Sequence, residues 1–344
     1  MPHNTETLAK KPRNSNIEML RIICMAMILL LHFVGATFGL PTHAQLFTGD
    51  PTAIAKATLE AFAIVGVNCF VLISGYYGIK ATWRGAVSFL SMCLFASLTV
   101  YIAQCVECGG LAKGLGESFL ILSHTDLWFV PAYFALYLLS PILNAGFAAQ
   151  QGRRLHVMLV IMVFLNIYSG WMFGGRINPT GYNVIHLIFI YFVGYYLRSQ
   201  RTTLCRLSPR TYFAIYIAMV CATTLSLDYA YNNPLVVASS VALFMTFATM
   251  RERHNLLTNA VASSVFMVYL LHKTPFIWVK IKHALLTSEA SNSDIVFVLQ
   301  AAALFVAIFV VSILVDKIRQ YIFGRIQKTL HHVSNNDARK YKTN

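Results

Sequence analysis

The sequence predicts an all-α, polytopic membrane helix bundle, and three observations carry that prediction. The 344 residues are 57% hydrophobic and only 12% charged, with a mean hydropathy of +0.60, too apolar for a single water-exposed globule. The apolar residues fall into runs of about 20, the length a helix needs to cross a hydrocarbon core of about 30 Å. The lysines and arginines gather in alternate breaks between those runs, as topology signals do.

Ten runs follow one another along the chain. The first, 17–39, comes after a polar, basic segment but is too long for a signal-peptide core and lacks a small-residue cleavage site, so it reads as a membrane helix. The second, 52–78, ends in "ISGYYG", and the third, 85–106, ends at "CVEC". The fourth, 126–147, opens with "DLWFVPAYF"; the fifth, 155–174, follows Arg153 and Arg154. The sixth, 183–198, closes on "YFVGYYLR", and the seventh and eighth, 212–229 and 235–250, flank "DYAYNNP". The ninth, 262–280, contains "YLLHKTP", and 295–316 is the tenth. The sixth and eighth are short and lean on their neighbours for support.

Charge placement supplies the orientation. Lys10, Lys11 and Arg13 precede the first run, Lys80 and Arg84 follow the second, and Arg153 and Arg154 follow the fourth. Arg198, Arg201, Arg206 and Arg210 follow the sixth, Arg251 and Arg253 the eighth, and a basic stretch from Lys317 the tenth. The opposite loops hold only Lys113, Arg176, Lys280 and Lys282. Because basic loops stay in the cytoplasm, both termini are expected there. The chain divides into a cytoplasmic segment 1–16, a membrane domain 17–320 and a polar cytoplasmic tail 321–344, expected to be unstructured from Gln327 onward.

The same distribution disposes of a nucleic-acid reading. A net charge of +14 would suggest one in a soluble protein, but here the bases are spread over every inner loop. Of the seven cysteines, Cys24, Cys69, Cys93 and Cys221 lie in apolar runs and act as small hydrophobes. Cys105 and Cys108 are the pair that an oxidising compartment could join. No Cys/His set has zinc spacing, so no metal is expected.

Arg21 and His32 are the polar intrusions in "RIICMAMILLLHF". Their spacing of eleven residues is three turns plus about 20°, and about 16 Å along the axis, so both lie on one helix face. Both are expected to face the bundle interior, Arg21 near the cytoplasmic boundary and His32 near mid-membrane. Glu18, one turn before Arg21, is placed to hold its guanidinium. A snorkelling anchor and an interior hydrogen-bonding histidine are the plainer accounts of the two residues.

The stretch "NIEMLRIICMAMILLLHF" resembles the first-helix signature of the acyltransferase-3 family, integral-membrane enzymes that acylate sugars of bacterial surface polysaccharides and other acceptors. The signature is a basic residue, ten intervening residues and a histidine, which Arg21 and His32 match. The resemblance continues in the family's order through "VNCFVLISGYYGIK" (67–80), "LWFVPAYFALYLLSPILN" (127–144), "YFVGYYLR" (191–198) and "SSVFMVYLLHKTPF" (263–276). Lys80 and Arg84 stand where the family often carries an R-x-x-R pair.

The resemblance implies transfer of an acyl group, most often acetyl from acetyl-CoA, to a hydroxyl of a cell-surface glycan or its lipid-linked precursor, in the cytoplasmic (inner) membrane. A neutral imidazole is suited to take a hydroxyl proton at neutral pH, so His32 is expected as general base, with Arg21 as its catalytic companion. The phosphates of acyl-CoA require cations at the inner mouth, a role for Arg21, Lys80 and Arg84. For the acceptor, Asp126 and Trp128 form a candidate sugar platform near the outer surface. Tyr133 is expected beside them at that interface; Ser74, Tyr76 and His272 complete the candidate set. For Ser74 and Tyr76 the competing role is helix packing through Gly75; for His272 it is structural hydrogen bonding.

A transporter or flippase is the alternative class, since it too would bury histidine, arginine and lysine along a polar path. It calls for buried carboxylates, and Glu60, Asp126, Asp228, Asp294 and Asp316 are all expected at span ends or in loops.

Overall fold

A computed structural model describes residues 13–123, 125–173 and 178–340, with side chains as far as Arg325. Lys10, Lys11, Arg176 and Lys342 lie outside the described residues. Among those residues the chain is helical and contains no strand.

Local chemistry sets most of the helix boundaries. Helix α1 (Ser15–Phe38) starts where the Asn14 side chain accepts from the Asn16 amide and stops at Gly39, whose φ of 75° ends the helix. Helix α2 (His43–Phe47) is a short surface turn closed by a Thr42–Gln45 capping box. Helices α3 (Pro51–Ala63) and α4 (Gly66–Tyr77) are nearly continuous and form one apolar stretch of 27 residues. Helix α5 (Trp83–Cys108) is capped by Thr82, and two 3-10 turns, Glu117–Phe119 and Thr125–Leu127, lead into α6 (Phe129–Ala148).

The second half begins with α7 (Arg153–Asn166), which widens into a π-helical turn over Ile167–Met172. Helix α8 (Val184–Ser199) is capped by Asn183 and followed by the short α9 (Arg201–Leu204). Helices α10 (Pro209–Ser226) and α11 (Pro234–Ala248) both open on proline, whose missing N–H costs nothing at a first turn. Next come α12 (Leu256–Ala262), α13 (Val265–His272) and α14 (Pro275–Ser291), then α15 (Asp294–Lys340).

Each of the ten apolar runs is mainly helical over its described residues, but they do not all meet the requirements of a complete span. Six helical stretches are long and apolar enough to cross a membrane, or seven if the bent pair Leu256–His272 and Pro275–Ser291 is one broken span. Helices α8 and α11, with 16 and 15 residues, are shorter apolar helices. The tail expected to be unstructured continues α15 as far as Lys340; no proline interrupts it, although His331, Ser334, Asn335, Asn336 and Asp337 are poor helix formers.

Burial separates centre from periphery. The α3–α4 stretch has 72% of its apolar window buried, whereas α15 has only 6%. Helix α15 thus presents Ile295, Val298, Leu299, Val306 and Leu314 outward, a surface made for lipid rather than water. Helices α1 and α4 pack together in the middle, with α3, α12 and α13 against α1 and α8 and α11 against α4. Glycines set that approach: a Cβ on Gly75 would collide with the Tyr191 carbonyl of α8, and one on Gly194 would come 2.5 Å from the Leu72 carbonyl of α4. The small residue in "ISGYYG" is therefore a packing device.

The basic loops converge at one end of the bundle. The Ser15 amide donates to the Arg253 carbonyl and the Asn16 side chain to the Arg251 carbonyl, tying the start of α1 to the loop after α11. Arg198 donates to the Tyr77 carbonyl at 3.5 Å, and Tyr77 feels the charges of Glu252, Arg201 and Arg21. At the other end, Lys280 pairs with Glu107 at 2.7 Å.

Candidate active site

Two breaks in regular structure place the central groups. Residues His272, Lys273 and Thr274 sit where the ninth run bends by 83° between α13 and α14. The cause is Pro275, which cannot continue the α13 hydrogen bonding and forces Thr274 into an extended conformation (ψ 139°). His272 is thereby left as the last residue of a helix ending deep in the bundle, fully buried. Opposite it, on the unbroken α1, stands His32.

The two imidazoles meet, with His32 Nδ1 and His272 Nε2 2.8 Å apart. The protons on this pair follow from the partners. His272 Nδ1 lies 2.5 Å from the Val268 carbonyl, which can only accept, so that nitrogen carries the N–H. With His272 neutral, its Nε2 must accept, and His32 Nδ1–H must donate. His32 Nε2 then holds a free lone pair. The arrangement repeats the logic of a base whose far nitrogen is fixed by a hydrogen-bond acceptor. The Trp278 ring presents an edge-on contact to His32 at 5.7 Å, and Lys273 lies over the other aromatic surface of Trp278 at 5.2 Å.

His32 opens onto a narrow cleft lined otherwise by Met25, Ile28, Val67, Phe70, Trp128, Phe129, Tyr231, Phe266 and Tyr269. The cleft is mostly apolar, with a few polar groups that could orient a ligand. Trp128 packs against Tyr182 at 4.8 Å and Tyr231 at 5.7 Å, so its indole forms part of an aromatic wall. Asp126, two residues earlier, faces elsewhere: it lines a larger cavity with Gln104, Lys113, Glu117 and Thr274. The 3-10 turn splits the proposed Asp126–Trp128 platform between two cavities.

The remaining predicted residues are dispersed. The Tyr133 hydroxyl is 3.0 Å from Ser74 Oγ, which also donates to the Phe70 carbonyl, so these two candidates meet. Tyr76 is buried against Tyr77 and Phe244 near the basic end. Arg21 lies toward that end, with its Nε buried and unpartnered. Glu18 does not hold it: Glu18 Oε1 faces Arg13 at 3.9 Å, and Oε2 has no partner. The angular offset of a short (i, i+3) step does not by itself bring these two side chains together. Lys80 is exposed on the loop between α4 and α5, and Arg84 is exposed in the first turn of α5. The Cys105 and Cys108 thiols are free, and among the described residues no group of His, Cys, Asp and Glu could hold a metal ion.

Three features escaped the sequence reading. Glu60, expected at a span end, is buried within the α3–α4 stretch, its Oε2 unpartnered and against Gly35, one turn beyond His32. Tyr269 lies on the same α13 face as His272, and the (i, i+3) spacing in "YLLH" was the available signal. Arg201, read only as a topology signal, lies close enough to Tyr76 for the two to interact electrostatically.

The fold and the histidine pair thus define a multi-pass membrane protein with a basic mouth at one end and an imidazole pair in its interior. The chain matches the acyltransferase-3 family model, described as an acyltransferase domain, over residues 14–317, and it belongs to that family. No curated protein and no solved structure matches it.

Proposed function

We propose that this membrane acyltransferase moves an acetyl group from cytoplasmic acetyl-CoA to a hydroxyl of a cell-surface glycan or its lipid-linked precursor. In this reading it resides in the cytoplasmic membrane with ten spans and both termini inside. The observation that carries it is the lone pair left on His32 Nε2 by the His272 hydrogen bond. That nitrogen takes the acceptor hydroxyl's proton, the oxygen attacks the thioester carbonyl, the C–S bond breaks, and His32 returns the proton to the departing sulfur. His272 holds the ring and accepts from its other nitrogen throughout.

Arg21 lies about 16 Å from His32 along α1, a separation the pantetheine arm of coenzyme A would span. Its unpartnered Nε is a donor available to a phosphate, with Lys80, Arg84 and Arg201 as exposed cations around the same mouth. Trp128 and the adjoining tyrosines offer aromatic surfaces to a sugar that enters from the opposite end, and Asp126 a carboxylate at the neighbouring cavity.

The test is transfer from radiolabelled acetyl-CoA by protein in lipid nanodiscs, with bacterial glycan extract as acceptor. The native chain should label the glycan, and His32→Ala should reduce labelling by about 10²–10⁴-fold. Equal labelling by both proteins would remove His32 from the chemistry. Transport is the second reading, favoured by one observation: the buried, unpaired carboxylate of Glu60 in a membrane stretch.

A further inference from the structure

The cleft at His32 contains a second polar group with no assigned task. Tyr269 is only 5% exposed, and its hydroxyl is buried with no hydrogen-bond partner. Buried hydroxyls are nearly always satisfied, so an orphan inside a cleft calls for a missing acceptor. Its surroundings define what that acceptor would be.

Tyr269 precedes His272 by one helical turn on α13, and the two rings meet edge to face at 6.2 Å. His272 in turn bonds to His32, and His32 and Tyr269 line the same cleft. On the other side stands the start of α6, which opens at Phe129 with no side-chain cap and has Pro131 in its first turn. The Phe129 ring is 6.1 Å from that of Tyr269. The Phe129 backbone N–H acts on the Tyr269 oxygen without reaching hydrogen-bonding geometry. An uncapped N-terminus carries partial positive charge, which draws electron density onto the phenolic oxygen and makes its O–H a stronger donor. The hydroxyl is thus a donor backed by a helix end, close to a base.

We infer that the Tyr269 hydroxyl, backed by the N-terminus of α6, donates a hydrogen bond to the thioester carbonyl oxygen as negative charge develops there. This inference rests on the acyl-transfer reading. In the step, His32 Nε2 removes the acceptor's O–H proton, the new O–C bond forms, and the carbonyl π electrons move onto the oxygen facing Tyr269. The C=O bond then re-forms as C–S breaks, and the proton held by His32 passes to the sulfur. Tyr269 keeps its own proton and supplies charge stabilisation that is stronger in the transition state than in the ground state. The cleft's apolar walls strengthen that interaction by excluding water.

The experiment compares native protein, Tyr269→Phe, and protein with a fluorinated tyrosine at 269, all in nanodiscs with saturating acetyl-CoA. It reads kcat, acceptor KM and acetyl-CoA binding by calorimetry. Tyr269→Phe should lower kcat by about 10²–10³-fold, with donor binding and acceptor KM changed by less than about threefold. The fluorinated residue, nearly the same size but a stronger hydrogen-bond donor, should retain a kcat at or above the native value. An unchanged kcat in Tyr269→Phe, a rise in acceptor KM alone, or a loss of kcat in the fluorinated protein as deep as that in Tyr269→Phe would overturn the assignment. If Tyr269→Phe does not fold, the fluorinated protein decides. Absence of transfer by the native protein would instead refute the acyl-transfer reading itself, and Tyr269's role would fall with it.

Discussion

His32 and His272, 240 residues apart in the chain, are joined by a hydrogen bond of 2.8 Å between Nδ1 of the first and Nε2 of the second. A base working through Nε2 depends on that bond for ring orientation and tautomer. Loss of the partner should leave the base present but poorly aimed. His272→Ala is expected to lower transfer by about 10–100-fold, the usual consequence of removing an outer orienting group. His272→Gln should retain more activity, because its amide oxygen can occupy the position of Nε2 and accept from His32. Rates for the two variants measured beside His32→Ala check the order, and equal rates for glutamine and alanine would rule out the orienting role.

Arg21 carries a different expectation, because its Nε is buried without a partner while its neighbour Glu18 faces Arg13. A guanidinium left unpaired in this way is available to an anionic ligand. Arg21→Met, which keeps the apolar stem, should weaken acetyl-CoA binding by about tenfold to hundredfold, as loss of a charge-assisted hydrogen bond does. Desulfo or dephosphorylated donor fragments lacking the anionic groups should bind native and variant alike. Calorimetric titration of both proteins with coenzyme A and with pantetheine distinguishes a phosphate contact from general loss of fold.

Much of this arrangement is legible in the sequence, and the remainder is hidden for physical reasons. Apolar runs and basic clusters locate the helices, and the Arg21–His32 spacing puts both on one face of α1 because helical geometry is fixed. The approach of α4 to α8 is announced by Gly75. Pairing between distant segments is not encoded in any local pattern, so the His32–His272 contact comes only from the bend at Pro275. The divergence of Asp126 and Trp128 is similarly concealed, because Asp126 lies within a 3-10 turn that ends at Leu127 while Trp128 already caps α6, so the two side chains line different cavities. Glu60 was misplaced because one carboxylate in an alanine-rich stretch suggests a helix end, whereas α3 and α4 together form a single buried unit. The span count exceeds the long apolar helices because α8 and α11 are short and because α10, which opens on Pro209 and the polar Arg210 and Thr211, is not among the long apolar helices either.

The α4–α8 interface makes a stability prediction independent of chemistry. A methyl group on Gly75 would collide with the Tyr191 carbonyl, which is backbone and cannot rotate away. Gly75→Ala should therefore destabilise the protein by about 1–3 kcal/mol or more, the range for overpacking in a filled interior. Gly146→Ala, with nothing near the added atom, is the control and should be neutral. Thermal melting of both variants in the same detergent compares them directly, and equal melting temperatures would contradict the close approach.

Glu60 separates the two functional readings. Its side chain is buried on α3, Oε2 lacks a partner, and the carboxylate lies against Gly35, one turn along α1 from His32. A proton-coupled transporter would require this group to gain and lose a proton in each cycle, so Glu60→Gln would abolish its activity. In an acyltransferase whose base is His32, the proton travels from acceptor hydroxyl to imidazole to sulfur and never visits Glu60. Glu60→Gln, which preserves shape and removes the need to bury a charge, should then keep transfer within about threefold and leave stability equal or improved. Gly35→Ala, whose methyl would stand 2.7 Å from Glu60 Oε2, should turn the carboxylate aside at little cost, because the atoms it meets are the far end of a flexible side chain. Measuring acetyl transfer and thermal stability for both variants decides the matter: loss of transfer in Glu60→Gln with the fold intact would place the carboxylate in the proton path and reopen the choice of mechanism.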